Sequence, residues 1–278
     1  MTQLPVEKPF EVVALDRAVR AERLDSVAVE SPLTVFIDGH ELATLLCTPE
    51  HLEDLVVGFL FGQGLIAGPD DVAGLRLEVE AGRAEVRLAR PVSLADRLYA
   101  RRVITTGCGA AGSDFYSALD ALQVKPLPGP VAPPSGVAAA AILEAARRLQ
   151  TDSPLFRATG GVHTAVLAGP DGAAIVTRDD IGRHNAADKA IGHIVRTGDR
   201  SGQAGPGSGP AAFLMVTGRV SSDIVLKAVR GGVPIVASRS APTSLAVELA
   251  GRLNLTLAGF VRGRRMNVYS APWRVLPL

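Results

Sequence analysis

Three apolar runs in the second half of the chain constrain its fold more tightly than anything else in the sequence. They are AFLMVT within 211–217, VPIVAS at 233–238 and LTLAGF within 255–261. None alternates apolar with polar residues, as a strand with one wet face does, so each reads as a strand buried on both faces of a largely parallel sheet. Helical patterns at 185–196, 221–230 and 243–253 alternate with them. A helix at 137–150 and strands at 162–168 and 173–177, joined by the turn Pro170-Asp171-Gly172, come before. The expected class is α/β, with this layered domain over 137–278.

The first half has a different pattern. Residues 1–24 read as an extended, charged lead-in, followed by strands at 26–30 and 33–37. Asp38-Gly39 is a hairpin turn leading into a strand that ends at Cys47. Thr48-Pro49-Glu50 has the chemistry of a helix start, with a capping hydroxyl, a proline for the first turn and an acid near the positive end of the dipole. Leu52, Leu55, Val56, Phe59 and Leu60 then give one apolar face. Stretches 75–80 and 84–88 alternate apolar and charged residues around Gly82, as an exposed hairpin does. The expectation is a small α+β region over 1–100, then a segment at 101–136 with a cysteine loop, a short helix and a connector. Five prolines in 125–136 stiffen that connector and stop regular pairing. The glycine-rich stretch 198–210 reads as a flexible surface loop.

With 278 residues, 47% of them apolar, the chain can bury a full core. A net charge of +1 excludes general affinity for nucleic acid or anionic membranes, so any anion site must be local. The N-terminus lacks a basic start followed by an apolar run, and no stretch reaches the length of a membrane helix, which makes the cytoplasm the expected location. Cys47 and Cys108 are the only cysteines. They are too few for a disulfide scaffold or a four-thiolate zinc site.

Cys108 sits in RVITTGCGAAG, between a β-branched run at 103–106 and a short helix at 113–122. A thiol between a strand end and a helix start lies near unpaired N–H groups and a positive dipole end, which lower its pKa and make it nucleophilic. A free cysteine is also often a small buried hydrophobe, and this stretch alone leaves both roles open. Gly107 to Gly112 spell G-x-G-x-x-G as well, but the dinucleotide fingerprint needs a parallel strand with an acid about 20 residues on. This chain runs into prolines there instead. Cys47, among Leu45, Leu46 and Thr48, reads as core.

Polar residues of the second half gather at strand ends. FRATGGVHTA (156–165), TRDDIGRHNAADKAIG (177–192), TGRVSSD (217–223) and SRSAPTS (238–244) all flank strands, where open α/β sheets bind ligands. Each has a plain alternative: Ser221 and Thr243 as ordinary caps, Asp188 and Lys189 as a solvated helix face. In GFVRGRRMNVYS (259–270), Arg262, Arg264 and Arg265 surround Gly263 just after a strand. Guanidinium groups there suit a phosphate clamp, and they suit a solvated surface equally.

TTGCGAAG, FRATGGVHTA, RDDIGRHNAADKAIG, TGRVSSDIVLKA, VPIVASRSAPTSLAVELA and LTLAGFVRGRRMNVYS, in this order and spacing, resemble the formate dehydrogenase accessory sulfurtransferases of the FdhD/NarQ family. The resemblance runs from about Ser31 to the C-terminus. It implies a C-terminal three-layer mixed sheet similar to the cytidine deaminase fold, with a smaller N-terminal α+β region, in a homodimer. It implies sulfurtransferase activity, in which persulfide sulfur passes from a cysteine desulfurase to Cys108. From there the sulfur goes to the molybdenum bis(molybdopterin guanine dinucleotide) cofactor, which is then inserted into formate dehydrogenase. Cys108 matches the sulfur-carrying position. Phe260, Val261, Arg262, Gly263, Arg264 and Arg265 match the stretch that binds the cofactor.

One departure matters. Many relatives have C-x-x-C in this loop, and this chain has Ala111 at the second position, which puts any mechanism needing two loop thiols in doubt. Deaminase chemistry is not expected either, and with it no catalytic zinc, because the P-C-x-x-C motif is missing and His163 is followed by Thr164 and Ala165. His163 and His184 are candidates for proton handling or ligand contact. Two other readings are a cofactor-holding chaperone without sulfur chemistry and a Cys/His hydrolase.

Overall fold

The computed structural model describes residues 4–16, 19–90, 124–130, 136–149, 151–197 and 212–277. The Cys108 loop, the helix expected at 113–122 and the glycine-rich stretch 198–210 lie outside the described residues.

The chain opens with strands β1 (Glu7–Asp16) and β2 (Val19–Ala28), paired antiparallel without a register break from Glu7↔Ala28 to Asp16↔Val19. The lead-in expected at 1–24 is therefore a two-stranded ribbon. The sequence hides it because Arg17-Ala18, between the strands, carries no glycine or asparagine turn chemistry. Strands β3 (Ser31–Ile37) and β4 (His40–Cys47) form the expected hairpin, with Asp38 and Gly39 both at positive φ as a type I′ turn requires. Strands β5 (Val72–Glu78) and β6 (Arg83–Leu88) complete a four-stranded sheet in the order β4-β3-β6-β5. That second hairpin is only half exposed, since Ala84, Val86 and Leu88 are buried.

Helix α1 (Leu52–Gly62) lies behind this sheet and begins later than expected. His51 precedes it in left-handed conformation, and Thr48 is fully buried with its hydroxyl bonded elsewhere instead of capping. After the short strand β7 (Val137–Ala138) come α2 (Ala139–Arg148) and α3 (Pro154–Thr159), the latter capped by Ser153 Oγ and unforeseen in the sequence. Strands β8 (His163–Ala168) and β9 (Ala174–Asp180) lead into helix α4 (Arg183–Thr197). The alternation continues with β10 (Phe213–Val216), α5 (Ser222–Arg230), β11 (Ile235–Ser238), α6 (Ser244–Arg252), β12 (Thr256–Arg262) and β13 (Arg265–Ser270). A final strand, β14 (Val275–Leu276), pairs with β7.

The six-stranded sheet runs β13-β12-β11-β10-β8-β9 and is mixed, as the family resemblance implies. Only β10, β11 and β12 are mutually parallel, while β8, β9 and β13 pair antiparallel, so "largely parallel" overstates the direction of the strands. The lack of alternation comes from burial, not direction. Along β10, Leu214 and Val216 enter the core shared with α1, α4, α5 and α6, while Phe213 and Met215 face the core under α2. Val236 and Leu257 likewise face the first core, and Ile235, Ala237 and Ala258 the second. Each face has a period of two, and both faces are apolar. β13 was hidden for the opposite reason: as an edge strand with every second residue exposed it mixes charged, polar and apolar side chains.

The first core is continuous from β3 and β6, through α1 and α4, to the six-stranded sheet. Where α1 crosses α4 the backbones nearly touch. A Cβ on Gly58 would lie 1.9 Å from the Asp188 carbonyl oxygen, and one on Gly192 would lie 1.9 Å from that of Asp54. Charged groups edge the crossing: Asp54 accepts from Arg178 Nη2 at 2.7 Å and Arg196 Nε at 2.8 Å. Burial raises the Asp54 pKa, and the two guanidinium groups outweigh it, so the carboxyl is held below its ordinary value.

Candidate functional site: the strand-end edge of the six-stranded sheet

Because β8 runs against both β10 and β9, the start of β8 lies between the end of β10 on one side and the end of β9 on the other. This brings the polar strand ends to one edge. His163 Nδ1 is 3.1 Å from Thr217 Oγ1, which also accepts from the Thr164 amide at 3.1 Å. Ser238 Oγ donates to the Gly218 carbonyl at 2.7 Å and accepts from the Ser240 amide at 2.9 Å. The Phe260 amide donates to the Ser240 carbonyl at 3.0 Å, and Arg262 Nε donates to the Arg239 carbonyl at 2.7 Å. A run of bonded loops thus spans the ends of β8, β10, β11 and β12. Gly218 is needed where it stands, since a Cβ there would be 2.9 Å from Arg183 Cβ and 3.3 Å from His163 Cε1.

The loop between β9 and α4 is anchored from below. Lys189 and Asp180 are fully buried and pair at 2.7 Å. The Lys189 ammonium also donates to the carbonyls of Thr48 at 2.9 Å and Asp179 at 3.1 Å. The Asp180 carboxylate accepts from the amides of Thr48 at 3.1 Å and Gly182 at 2.8 Å and from Asn185 Nδ2 at 3.0 Å. Asp179, also buried, accepts from the hydroxyls of Ser153 and Thr164, each at 2.6 Å. Asp188 and Lys189 are therefore not a solvated helix face. Asp188 pairs with Lys227 at 2.8 Å beneath the site, and Lys227 also meets Asp223 at 2.8 Å. Burial opposes the Lys227 charge, the two carboxylates overcome it, and its pKa is raised.

On this base stand Arg183 and His184. His184 Nε2 is 2.9 Å from Ser221 Oγ, so Ser221 sits at the cap position of α5 without using its side chain as a cap. Thr243 is the ordinary cap expected, accepting from the Ala246 amide. Burial pushes the His184 pKa down to about 4, and that of His163 down as well, with Arg183 adding to the effect at His163. Both imidazoles are neutral near pH 7, so each ring can offer one N–H and one lone pair.

The arginine cluster takes a definite form. Arg262 ends β12 and pairs with Arg265 at the start of β13, while Gly263, at positive φ, and Arg264 make the turn between them. All four residues are exposed. Val261 is buried, but Phe260 has φ 52° at a break in the strand register and is 38% exposed. Left-handed backbone at an aromatic residue costs on the order of 1–3 kcal/mol and is characteristic of ligand sites. The centroid of the partly exposed Phe260 ring lies 6.0 Å from the Arg262 guanidinium carbon. Arg219 and Arg239, which the sequence reading did not single out, stand on the neighbouring loops, each next to a strand-end glycine or serine. Burial and the nearby Arg219 both press the Arg183 pKa down, against the pull of Asp223. The edge thus presents exposed guanidinium groups and one partly open aromatic ring.

The two cysteines divide sharply. Cys47 is 1% exposed, with Sγ against the Ser31 carbonyl at 3.6 Å. Burial, helped by the Asp180 carboxylate, pushes its thiol up to about 12, so it stays protonated and unreactive. Cys108 lies outside the described residues.

Residues 28–276 match the model of the FdhD/NarQ family. The chain belongs to that family. It is 39% identical over 255 residues to the sulfur carrier protein FdhD of Geobacillus kaustophilus, covering 92% of each chain. It is 42% identical over 259 residues to the protein of that name from Anaeromyxobacter dehalogenans, covering 88% of this chain and 87% of the other. A solved structure described as a formate dehydrogenase accessory protein from Desulfotalea psychrophila superposes with a TM-score of 0.74 at 29% identity, covering 98% of this chain and all of that one. The FdhD/NarQ match spans both sheets and all of the strand-end edge. Among the described residues no helix is long and apolar enough to cross a membrane.

Proposed function

We propose that this protein is a sulfur carrier in formate dehydrogenase maturation, a homodimer that acts in the cytoplasm as a persulfide sulfurtransferase. The observation that carries the reading is the match to proteins named sulfur carrier protein FdhD over nine-tenths of the chain, joined to the disqualification of Cys47. Of the two cysteines, Cys108 remains as the one able to hold sulfur.

The Cys108 thiolate attacks the terminal sulfur of a cysteine desulfurase persulfide. The sulfur–sulfur bond of the donor breaks, a new one forms on Cys108, and the donor leaves as a thiolate. The client is the molybdenum bis(molybdopterin guanine dinucleotide) cofactor: its reduced metal would supply the two electrons with which the terminal sulfur is taken up as sulfide, the sulfur–sulfur bond at Cys108 would break, and the Cys108 thiolate would be restored before the cofactor passes to formate dehydrogenase. The strand-end edge suits such a client. Arg262, Arg264 and Arg265 offer charged donors to its phosphates, and the Phe260 ring offers a face to a guanine. With Ala111 in place of a second loop cysteine, the sulfur has no neighbouring thiol to receive it.

Incubation with cysteine and a desulfurase should yield intact protein heavier by bound sulfur, with the modification on the Cys108 peptide and removable by a reducing thiol. A mass unchanged under conditions that load other persulfide acceptors would favour a chaperone without sulfur chemistry. Replacing both Arg264 and Arg265 with Ala should weaken guanine nucleotide binding by roughly 1.5–3 kcal/mol for each charged hydrogen bond lost. Calorimetry giving unchanged affinity would move the phosphate site away from the β12–β13 turn.

A further inference from the structure

The β1–β2 ribbon stands apart from every site described so far, and almost all of it precedes the family match at 28–276. Among the described residues, its main support from its own chain lies near its base. There the Val29 amide donates to the Val6 carbonyl at 2.8 Å, Ala28 lies against Gly161, and β2 touches α3. Beyond that base Phe10, Val13, Leu15, Leu24 and Val27 are 53%, 47%, 78%, 69% and 43% exposed. A two-stranded ribbon is marginal in water unless something covers it.

The register shows that both faces need cover. Phe10 and Val27 lie on one face with Lys8, Arg23 and Asp25, while Val13, Leu15 and Leu24 lie on the other with Glu11, Arg20 and Glu22. A ribbon that is apolar on both sides fits between two surfaces better than on top of one. We propose that the ribbon is an exchanged dimerisation arm that lies across a second copy of this chain, which returns its own arm in the same way. A second copy supplies two surfaces at once, its body and its own ribbon. A two-fold contact is also self-complementary by construction.

Size and charge both favour this occupant. The two strands hold ten residues each, close to the roughly 20–30 residues a side of a standard interface, and exchange uses two such arms. The strands carry five acids and three bases interleaved with the apolar residues. That mixture offers no single-sign field to attract nucleic acid or an anionic membrane. In a two-fold contact it lets acids of one arm face bases of the other. The inference extends the homodimer proposed above by naming the surface that makes it.

Sedimentation of the full chain tests it, with a triple variant, Phe10→Asp, Leu15→Asp and Leu24→Asp, alongside. The expected wild-type mass is twice the 28.9 kDa of one chain. The variant should return to the single-chain mass, its dimer dissociation constant raised roughly 100-fold or more, with unchanged circular dichroism, since neither core contains these side chains. A monomeric wild type would overturn both the arm and the homodimer. A variant as dimeric as wild type would overturn the arm alone. Hydrogen exchange on the wild type gives an answer that needs no variant: amides in 7–16 and 19–28 should be protected at high concentration and lose protection on dilution. Protection independent of concentration would count against the arm.

Discussion

Cys108→Ala should leave a folded protein that no longer supports formate dehydrogenase activation, while Cys47→Ala should retain most of that support. The two thiols differ in how readily they ionise. Cys47 is buried beside the Asp180 carboxylate with its pKa at about 12. Near neutral pH its thiolate is therefore only about one part in 10⁴ to 10⁵, too little for attack on a persulfide. The sequence around Cys108 points the other way, with a β-branched run, a glycine-flanked turn and a helix pattern behind it. The measurement is formate dehydrogenase activity in cells lacking the endogenous carrier and complemented with each variant, with solubility checked in parallel. Equal loss in both variants would remove Cys108 from its proposed role. Full activity in Cys108→Ala would do the same and leave a cofactor-holding chaperone.

Much of this was legible in the sequence, and the misses have physical causes. The runs that form β10, β11 and β12 were readable because burial on two faces removes polar residues from a strand. The β3–β4 hairpin was readable because Asp38-Gly39 can be little else. The β1–β2 ribbon and β13 were not, because strands exposed to solvent carry the same mixed residues as a loop. At the candidate site, the gathering of His163, Arg183, His184 and Phe260–Arg265 at one edge followed from strand order. The inward turn of Asp188 and Lys189 did not. A helical Asp-Lys pair reads as solvated, and only the partners from distant segments, Lys227 for one and Thr48 and Asp180 for the other, make its burial tolerable. Thr48 was misread as a helix cap for the same reason: its hydroxyl is bonded to the Ile181 amide, far along the chain.

Lys189→Met should cost about 3–5 kcal/mol of stability, the range expected when one member of a buried ion pair is removed and the other stays. Lys189 and Asp180 are both 0% exposed, and the ammonium has three acceptors within 3.1 Å. Methionine fills much of the same space, so the loss comes mainly from charge and hydrogen bonds, not from a cavity. What remains is a carboxylate sealed from water, still facing the amides of Thr48 and Gly182 but without its counter-charge. The exposed pair Arg147 and Glu144 is the control, and Arg147→Ala should change stability hardly at all. Urea unfolding at pH 7 separates the two outcomes, and a midpoint for Lys189→Met equal to that of Arg147→Ala would mean that this ion pair does not hold the loop. The same substitution tests how the site is built. Asp180 ties the end of β4, through Thr48, to the first turn of α4, where Arg183 and His184 stand. If that tie sets their position, guanine nucleotide affinity should fall in Lys189→Met even at temperatures where the variant is fully folded, and it should stay unchanged in Arg147→Ala.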